Sequence, residues 1–333
     1  MDHPAEHLPS TSDLETLLRT PGFGNSRVVH DIGAVASRLH TLGGIVGVTV
    51  AGPVVMNAVG AHATPAWIGG PLRIGRDEIV VRLNPSRLSS VLLTDPAANV
   101  PPTLRLFDSD GNTSHAIYLT DDSDRSAFDS LVAGRPGFDG IASGPASSAT
   151  DGFDSDTGDR VRAAFAIHAG DPGPGRIGPE HTGPDDQVGM FDSIRADGGL
   201  DRRRALSGGQ IRSAVRVDTH RVVAALEHAA LLGMSVTVAT SARGCMQMRQ
   251  GRLDGARGHR GQVVLASGRS RVMVNVNHVS ECWVTSSQGA WGPTAAVELY
   301  DRDDRCCLVL TSTGPVARTV YDAWEQLAGD LAG

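Results

Sequence analysis

Two stretches nearly two hundred residues apart carry the same pattern, and this repeat constrains the fold more than anything else in the chain. Residues 104–119 read LRLFDSDGNTSHAIYL and residues 297–310 read VELYDRDDRCCLVL. Each holds an alternating apolar strand, an aromatic-Asp turn and a second strand. About twenty residues further on, each copy closes in a helix-like stretch with a large aromatic, Phe128 in the first and Trp324 in the second. Upstream, residues 31–50 lie over residues 218–239, with Leu42-Gly43 falling on Leu232-Gly233. The offset is 190 there, 191 between Gly60 and Gly251, and 193 between Phe107 and Tyr300. A register that drifts so little over about sixty positions means that one domain-sized unit occurs twice.

A chain of 333 residues has room for two cores, and 40% apolar content can fill them. Within each copy the order is helix, then a run of strands, then helix. Helices are predicted over 31–42, 124–132, 219–232 and 316–332, with an additional helical piece over 190–206 before the second copy. Strands that follow one another without interleaved helices form antiparallel meanders. The fold class is therefore α+β: two tandem copies of an antiparallel-sheet domain with flanking helices, at 25–133 and 188–333. Residues 134–187 are dominated by Gly, Pro, Ser and Asp around one short apolar island, and read as a linker.

Charge and composition narrow the function classes. The net charge of −7 argues against a nucleic-acid partner, because backbone binding by counterion release needs a basic face. All 30 basic residues are Arg, and Ala, Gly and Asp are abundant too. That pattern reads as coding bias, so the number of Arg carries no binding signal. The N-terminal MDHPAEHLPSTSD lacks the basic-apolar-small order of a leader peptide. The best apolar run, 44–59, is too short and too broken by Gly and Pro for a membrane span. Cys245, Cys282, Cys306 and Cys307 lack C-x-x-C spacing and fall mostly in apolar strands, as buried free thiols in a reducing compartment do. The expectation is a cytoplasmic protein without membrane insertion.

Motifs for phosphate loops, dinucleotide binding, serine hydrolysis and zinc proteolysis are missing, and the 12 His are scattered. The Asp clusters at 121–122 and 301–304 lie in turns, where Asp serves the backbone. No catalytic residue can be named from these patterns.

The duplicated unit resembles the HemS/ChuS group of cytoplasmic haem-utilisation proteins, which are built from two tandem copies of one domain. The likeness rests on residues 104–132, on LDRRRAL (200–206), on ARGCMQMRQG (242–251), on ECWVTS (281–286) and on AVELYD (296–301). It covers roughly 25–333 apart from the linker. The resemblance implies haem held between the repeats, an iron-ligating histidine from the helix before the second repeat, and arginines on the propionates. Arg82, in VVRLNPS, and Arg202, in LDRRRAL, match the family's arginines. The planar guanidinium fork suits a propionate. The family's histidine falls on Val188, within Asp186–Phe191. Leu310, Thr313 and the pair Ser286-Ser287 replace further contacts. His181 and Met190 are the substitute donors for iron.

The resemblance thus implies an intracellular haem-binding protein of haem and iron utilisation, a trafficking or haem-degradation accessory. Its partners would be haem itself and a haem-uptake system or haem-receiving protein. With Val188 in the ligand position, haem-degrading activity is open. The alternative is a non-haem interaction or ligand-binding module on the same duplicated scaffold.

Overall fold

In the computed structural model the described residues are 11–21, 25–67, 72, 74, 78–95, 101–132, 186–211, 213–314 and 316–333. The predicted linker, apart from 186 and 187, lies outside the described residues, and so does His181. The first half runs α1 (Asp13–Arg19), β1 (Ser26–Val29), α2 (Ile32–Ala36), a 3-10 turn (Leu39–Leu42), β2 (Gly43–Ala51), β3 (Val54–Ala61), β4 (Ala66–Trp67), β5 (Val80–Leu83), β6 (Leu88–Thr94), β7 (Thr103–Asp108), β8 (Thr113–Ser123) and α3 (Arg125–Val132). The second half runs α4 (Gln187–Asp197), α5 (Leu200–Ser207), β9 (Val215–Val217), α6 (Thr219–Leu231), β10 (Ser235–Ala242), β11 (Cys245–Arg252), β12 (Gly255–His259), β13 (Gln262–Ser267), β14 (Ser270–Asn275), β15 (Val279–Gly289), β16 (Gly292–Asp301), β17 (Cys306–Thr311) and α7 (Arg318–Ala332).

The strand orders make the duplication explicit. One sheet is β1-β6-β7-β8-β2-β3 followed by β14-β13-β12, and the other is β9-β15-β16-β17-β10-β11 followed by β5-β4. The first six strands of each sheet correspond one to one. The last strands come from the opposite half. Val54 and Met56 of β3 pair with Val274 and Val272 of β14, while Met246 and Met248 of β11 pair with Arg82 and Val80 of β5. All sheet ladders are antiparallel except β4 with β5. Two self-contained cores were anticipated; instead each sheet is completed by backbone hydrogen bonds from the other half.

Local chemistry repeats along with topology. In the β7–β8 turn Asp108 Oδ1 accepts from the amides of Asp110 and Asn112, both at 2.9 Å. In the β16–β17 turn Asp301 Oδ1 accepts from Asp303 and Arg305, again at 2.9 Å. These carboxylates act as backbone surrogates. The single helix predicted over 190–206 is two, because Gly198 and Gly199 adopt φ of 79° and 80° and end α4 before α5 begins. The helix predicted over 31–42 is shorter than its pattern. Gly33 lowers its propensity, and the Ser37 hydroxyl bonds the Ala34 carbonyl.

The sheets meet face to face near their centres, and helices close the ends. Around α2, the 3-10 turn and α3, Leu39, Leu42 and Phe128 pack on Ile45, Leu104 and Leu106, with Val81, Leu83 and Cys245 of the second sheet. Around α6 and α7, Val222, Leu226, Trp324 and Leu331 pack on Val297, Leu299 and Leu310, with Met56 and Val54 of the first. Phe107 and Tyr300, equivalent in the repeat, are both fully buried, as are Phe128 and Trp324. The Trp324 indole donates to the Ala295 carbonyl at 2.9 Å. The four thiols are buried and unbridged. Among the described residues no helix is long and apolar enough to cross a membrane.

Phe128→Ala and Trp324→Ala should each cost about 3–5 kcal/mol in urea unfolding, through lost burial and a cavity. Leu231→Ala, at an 85% exposed position, should stay within about 0.5 kcal/mol. Because the sheets are shared, both core variants should shift one common transition. Two separated transitions, each sensitive to one variant, would contradict that coupling.

Candidate functional site

Helices α4 and α5 cover one face of the second sheet, where the sequence placed its ligand-facing residues. Asp186 caps α4 through the Gly189 amide at 2.6 Å. Gln187 ties the first turn to the Ser312 carbonyl at 2.7 Å. The underside of both helices is apolar: Met190, Phe191, Ile194 and Leu206 pack against Ala239, Met246, Met248 and Val309. Val188 is buried on the first turn of α4. Met190 is 1% exposed, and its sulfur accepts from the Ser287 hydroxyl at 3.8 Å.

Both predicted arginines are here, and both are engaged with internal carboxylates. Arg82, fully buried on β5, reaches Asp192 Oδ1 of α4 with Nε at 3.2 Å and Nη2 at 2.7 Å. The same oxygen accepts from Arg195 Nη2 at 2.8 Å. Arg195 also donates to the Leu83 carbonyl, so α4 is clamped to β5 by two guanidinium groups around one carboxylate. Burial pulls the Arg195 pKa down to about 10, and the Asp192 charge opposes it.

Arg202 of α5 makes a bidentate pair with Glu298 of β16, Nε to Oε2 at 2.8 Å and Nη2 to Oε1 at 2.7 Å. Glu298 also accepts from Thr285 Oγ1 at 2.5 Å and from the Tyr300 hydroxyl at 2.8 Å. Its side chain is fully buried. Burial alone would raise its pKa, but the Arg202 charge and three donors hold the carboxyl below its usual range. Burial and the Glu298 charge push the Tyr300 phenol far up, so it stays a neutral donor.

These residues fit an iron porphyrin in part. The apolar wall and the guanidinium forks suit a flat ring with carboxylates, provided Asp192 and Glu298 exchange with the propionates. Where the resemblance implies an iron ligand on α4, the residue does not fit, because Val188 has no lone pair. Small cavities of about 20 Å³ and 10 Å³ lie among the described residues. Their apolar linings lie in the packing of α6, α7 and the sheets, away from α4. Among the described residues no group of three or more His, Cys, Asp or Glu is placed to hold a metal. The sequence reading found Arg82 and Arg202 but missed Asp192, Arg195 and Glu298. Arg195 at three residues from Asp192 on one helix face was the available signal. Glu298 inside VELY looked like any solvent-facing strand residue.

Residues 199–331 match the family model described as the haemin-degrading HemS.ChuX domain. No curated protein matches the chain. Among solved structures, the chain is similar to holo-PhuS, a heme-binding protein from Pseudomonas aeruginosa, with 18% identity, a TM-score of 0.65, and coverage of 91% of this chain and 86% of that one. It is also similar to ChuS, an E. coli heme oxygenase, with 18% identity, a TM-score of 0.66, and coverage of 92% and 89%. At that identity the likeness shows a shared fold over nearly the whole chain. The α+β duplicated fold class read from the sequence is the one observed.

Arg202→Ala strands a buried carboxylate and should cost about 3–5 kcal/mol in denaturant unfolding. The double replacement Arg202→Met with Glu298→Met should restore much of that loss. An Arg202→Ala cost below about 1 kcal/mol would show that the pair contributes little to the fold.

Proposed function

We propose an intracellular haem-binding protein of haem utilisation, a reading supported by the match of residues 199–331 to the HemS.ChuX domain model and by the fold shared with PhuS and ChuS. In this reading haem lies against α4 and α5, between the repeats at 25–133 and 188–333. The observation that carries it is the domain match, which spans α5, Arg202 and the sheet face beneath them. Haem, when bound, supplies the iron and ring chemistry. The chain's own residues bind and orient. Arg82 and Arg202 offer forks to the propionates, and the methionine-lined wall of Met190, Met246 and Met248 excludes water.

Because α4 offers Val188 where a nitrogen ligand is wanted, the chain is proposed to carry haem or assist its breakdown rather than to degrade it alone. Met190 and His181 are the proposed axial donors. Its partners would then be haem and the component that delivers or receives it. One observation favours a second reading, a non-haem ligand-binding or interaction module. Arg82 and Arg202 are already held by Asp192 and Glu298, as a scaffold without haem requires.

An absorbance titration with hemin separates the two. Wild type should saturate at one equivalent with a weak Soret change, and Val188→His should tighten binding by roughly tenfold or more, a gain of about 1.4 kcal/mol or more. Its spectrum should become that of a His-ligated haem. If His181→Ala abolishes binding by wild type, the donor lies in the 134–187 segment. If neither wild type nor Val188→His shows a saturable Soret change, the haem reading falls and the module reading takes its place.

A further inference from the structure

Away from α4, the seam where the two sheets face each other holds a polar chain of side chains and two imidazoles. His115 Nδ1 of β8 lies 2.8 Å from Thr49 Oγ1 of β2, and Thr49 Oγ1 lies 2.8 Å from Gln247 Oε1 of β11. Gln247 Nε2 donates onward to the Gly47 carbonyl at 3.4 Å. An amide oxygen only accepts, so the one hydroxyl proton of Thr49 goes to Gln247. His115 Nδ1 must then be the donor to Thr49. This fixes the Nδ1–H tautomer and leaves Nε2 as a bare lone pair, which meets no hydrogen-bond partner. The ring lies over Gly47, where a Cβ would come within 3.3 Å of it.

His62, just beyond β3, is the second imidazole. Its ring centroid is 5.5 Å from that of His115, edge to face at 74°. Both residues are buried, at 3% and 0% exposure. Neither ring nitrogen of His62 makes a hydrogen bond of normal geometry, although the Ile79 backbone lies close enough to favour its protonated form slightly.

Against the burial of the two rings stand only the backbones of Ile79, beside His62, and Val48, beside His115, which favour the protonated forms but are outweighed. β2, β3 and β10 carry no ionisable side chain. β8 carries, besides His115, Tyr118, whose hydroxyl accepts from Arg105 at 3.3 Å, and Asp121 and Asp122, exposed at its far end. β5 carries Arg82, which turns to Asp192 on the opposite face. β7 carries Arg105, over the Tyr118 ring, and Asp108, in its turn. On β11, Cys245 is a buried thiol, Arg252 is exposed, and Arg249 donates to the Val59 carbonyl at 3.2 Å.

We infer that His62 and His115 form an acid-sensitive lock on the seam: neutral, they hold the sheets together, and a proton taken up by either one drives the seam apart. Burial, which disfavours charge, takes His62 from its ordinary 6.5 down to about 4. Burial, followed by the neighbouring His62, takes His115 well below its ordinary value. Both folded values lie below the unfolded one, so the open chain binds protons first. Stability is fully present above about pH 6.5 and is lost as pH falls from there towards 4. At pH 4.5 the His62 shift alone corresponds to a loss on the order of a hundredfold in the folding equilibrium.

The test compares the full chain with His62→Phe, with His115→Asn, whose amide can still donate to Thr49, and with the double variant. Urea unfolding is measured from pH 7.5 to 4.5. Wild type should lose more than roughly a hundredfold more in folding equilibrium than the double variant over that range, and each single variant should fall between. Nitrogen-15 spectra of the histidine rings in wild type, independent of any variant, should show His115 neutral and Nδ1-protonated at pH 6. An equal acid loss in wild type and double variant would overturn the lock. So would an Nε2–H or cationic His115 at pH 6.

Discussion

The exchange of strands between the halves is the constraint on which the rest of this structure depends. Met56 pairs with Val272 and Met246 with Arg82, so neither sheet keeps its full hydrogen-bonding width if the halves separate. Unpaired strand edges are costly in a buried setting and adhesive in an exposed one. The exchange fixes β5 beside β11, and that register carries Arg82 to α4. It also presses β2 against β11, which creates the seam bearing Thr49, Gln247 and His115. Both polar centres are thus consequences of one topological choice.

The two centres solve the problem of buried polarity in different ways. Beneath α5, Glu298 receives Arg202, Thr285 and Tyr300, so a charged pair is held with its acceptors satisfied. Such a pair is stable only while complete, since removing one partner leaves a desolvated charge. At the seam, the imidazoles are tolerated because they remain neutral. One network tolerates acid until its carboxylate titrates. The other is sensitive as soon as imidazole protonation competes.

The α4 clamp ties the fold to the candidate site. Arg82 and Arg195 converge on one carboxylate of a helix that carries Val188 and Met190 on its first turn. In the proposed site, a ligand with carboxylates of its own would reach these arginines by trading places with Asp192 or Glu298. The cost of that trade, set against the new contacts, decides between a haem carrier and a scaffold that keeps its pairs closed.

The repeat was legible because it is written in local chemistry. Alternating strands, the turn carboxylates Asp108 and Asp301, and the aromatic pairs Phe107 with Tyr300 and Phe128 with Trp324 each depend on residues close in sequence. Shorter elements were not legible. α1, β1, β4, β9 and β12 span too few residues for a period to register, and Gly198-Gly199 broke a helix that apolar spacing alone extended. Arg82 and Arg202 could be singled out as candidates from their motifs, but Asp192 and Glu298 could not be paired with them. The sequence by itself determined that one α+β unit occurs twice, which segments alternate as strands and which faces are apolar. Only the tertiary structure decided which half's strand completes each sheet, which carboxylate meets each arginine, and that His62 meets His115. Those are choices among long-range partners, and backbone hydrogen bonds and buried charges of one type look alike in sequence until the packed sheets bring particular ones together.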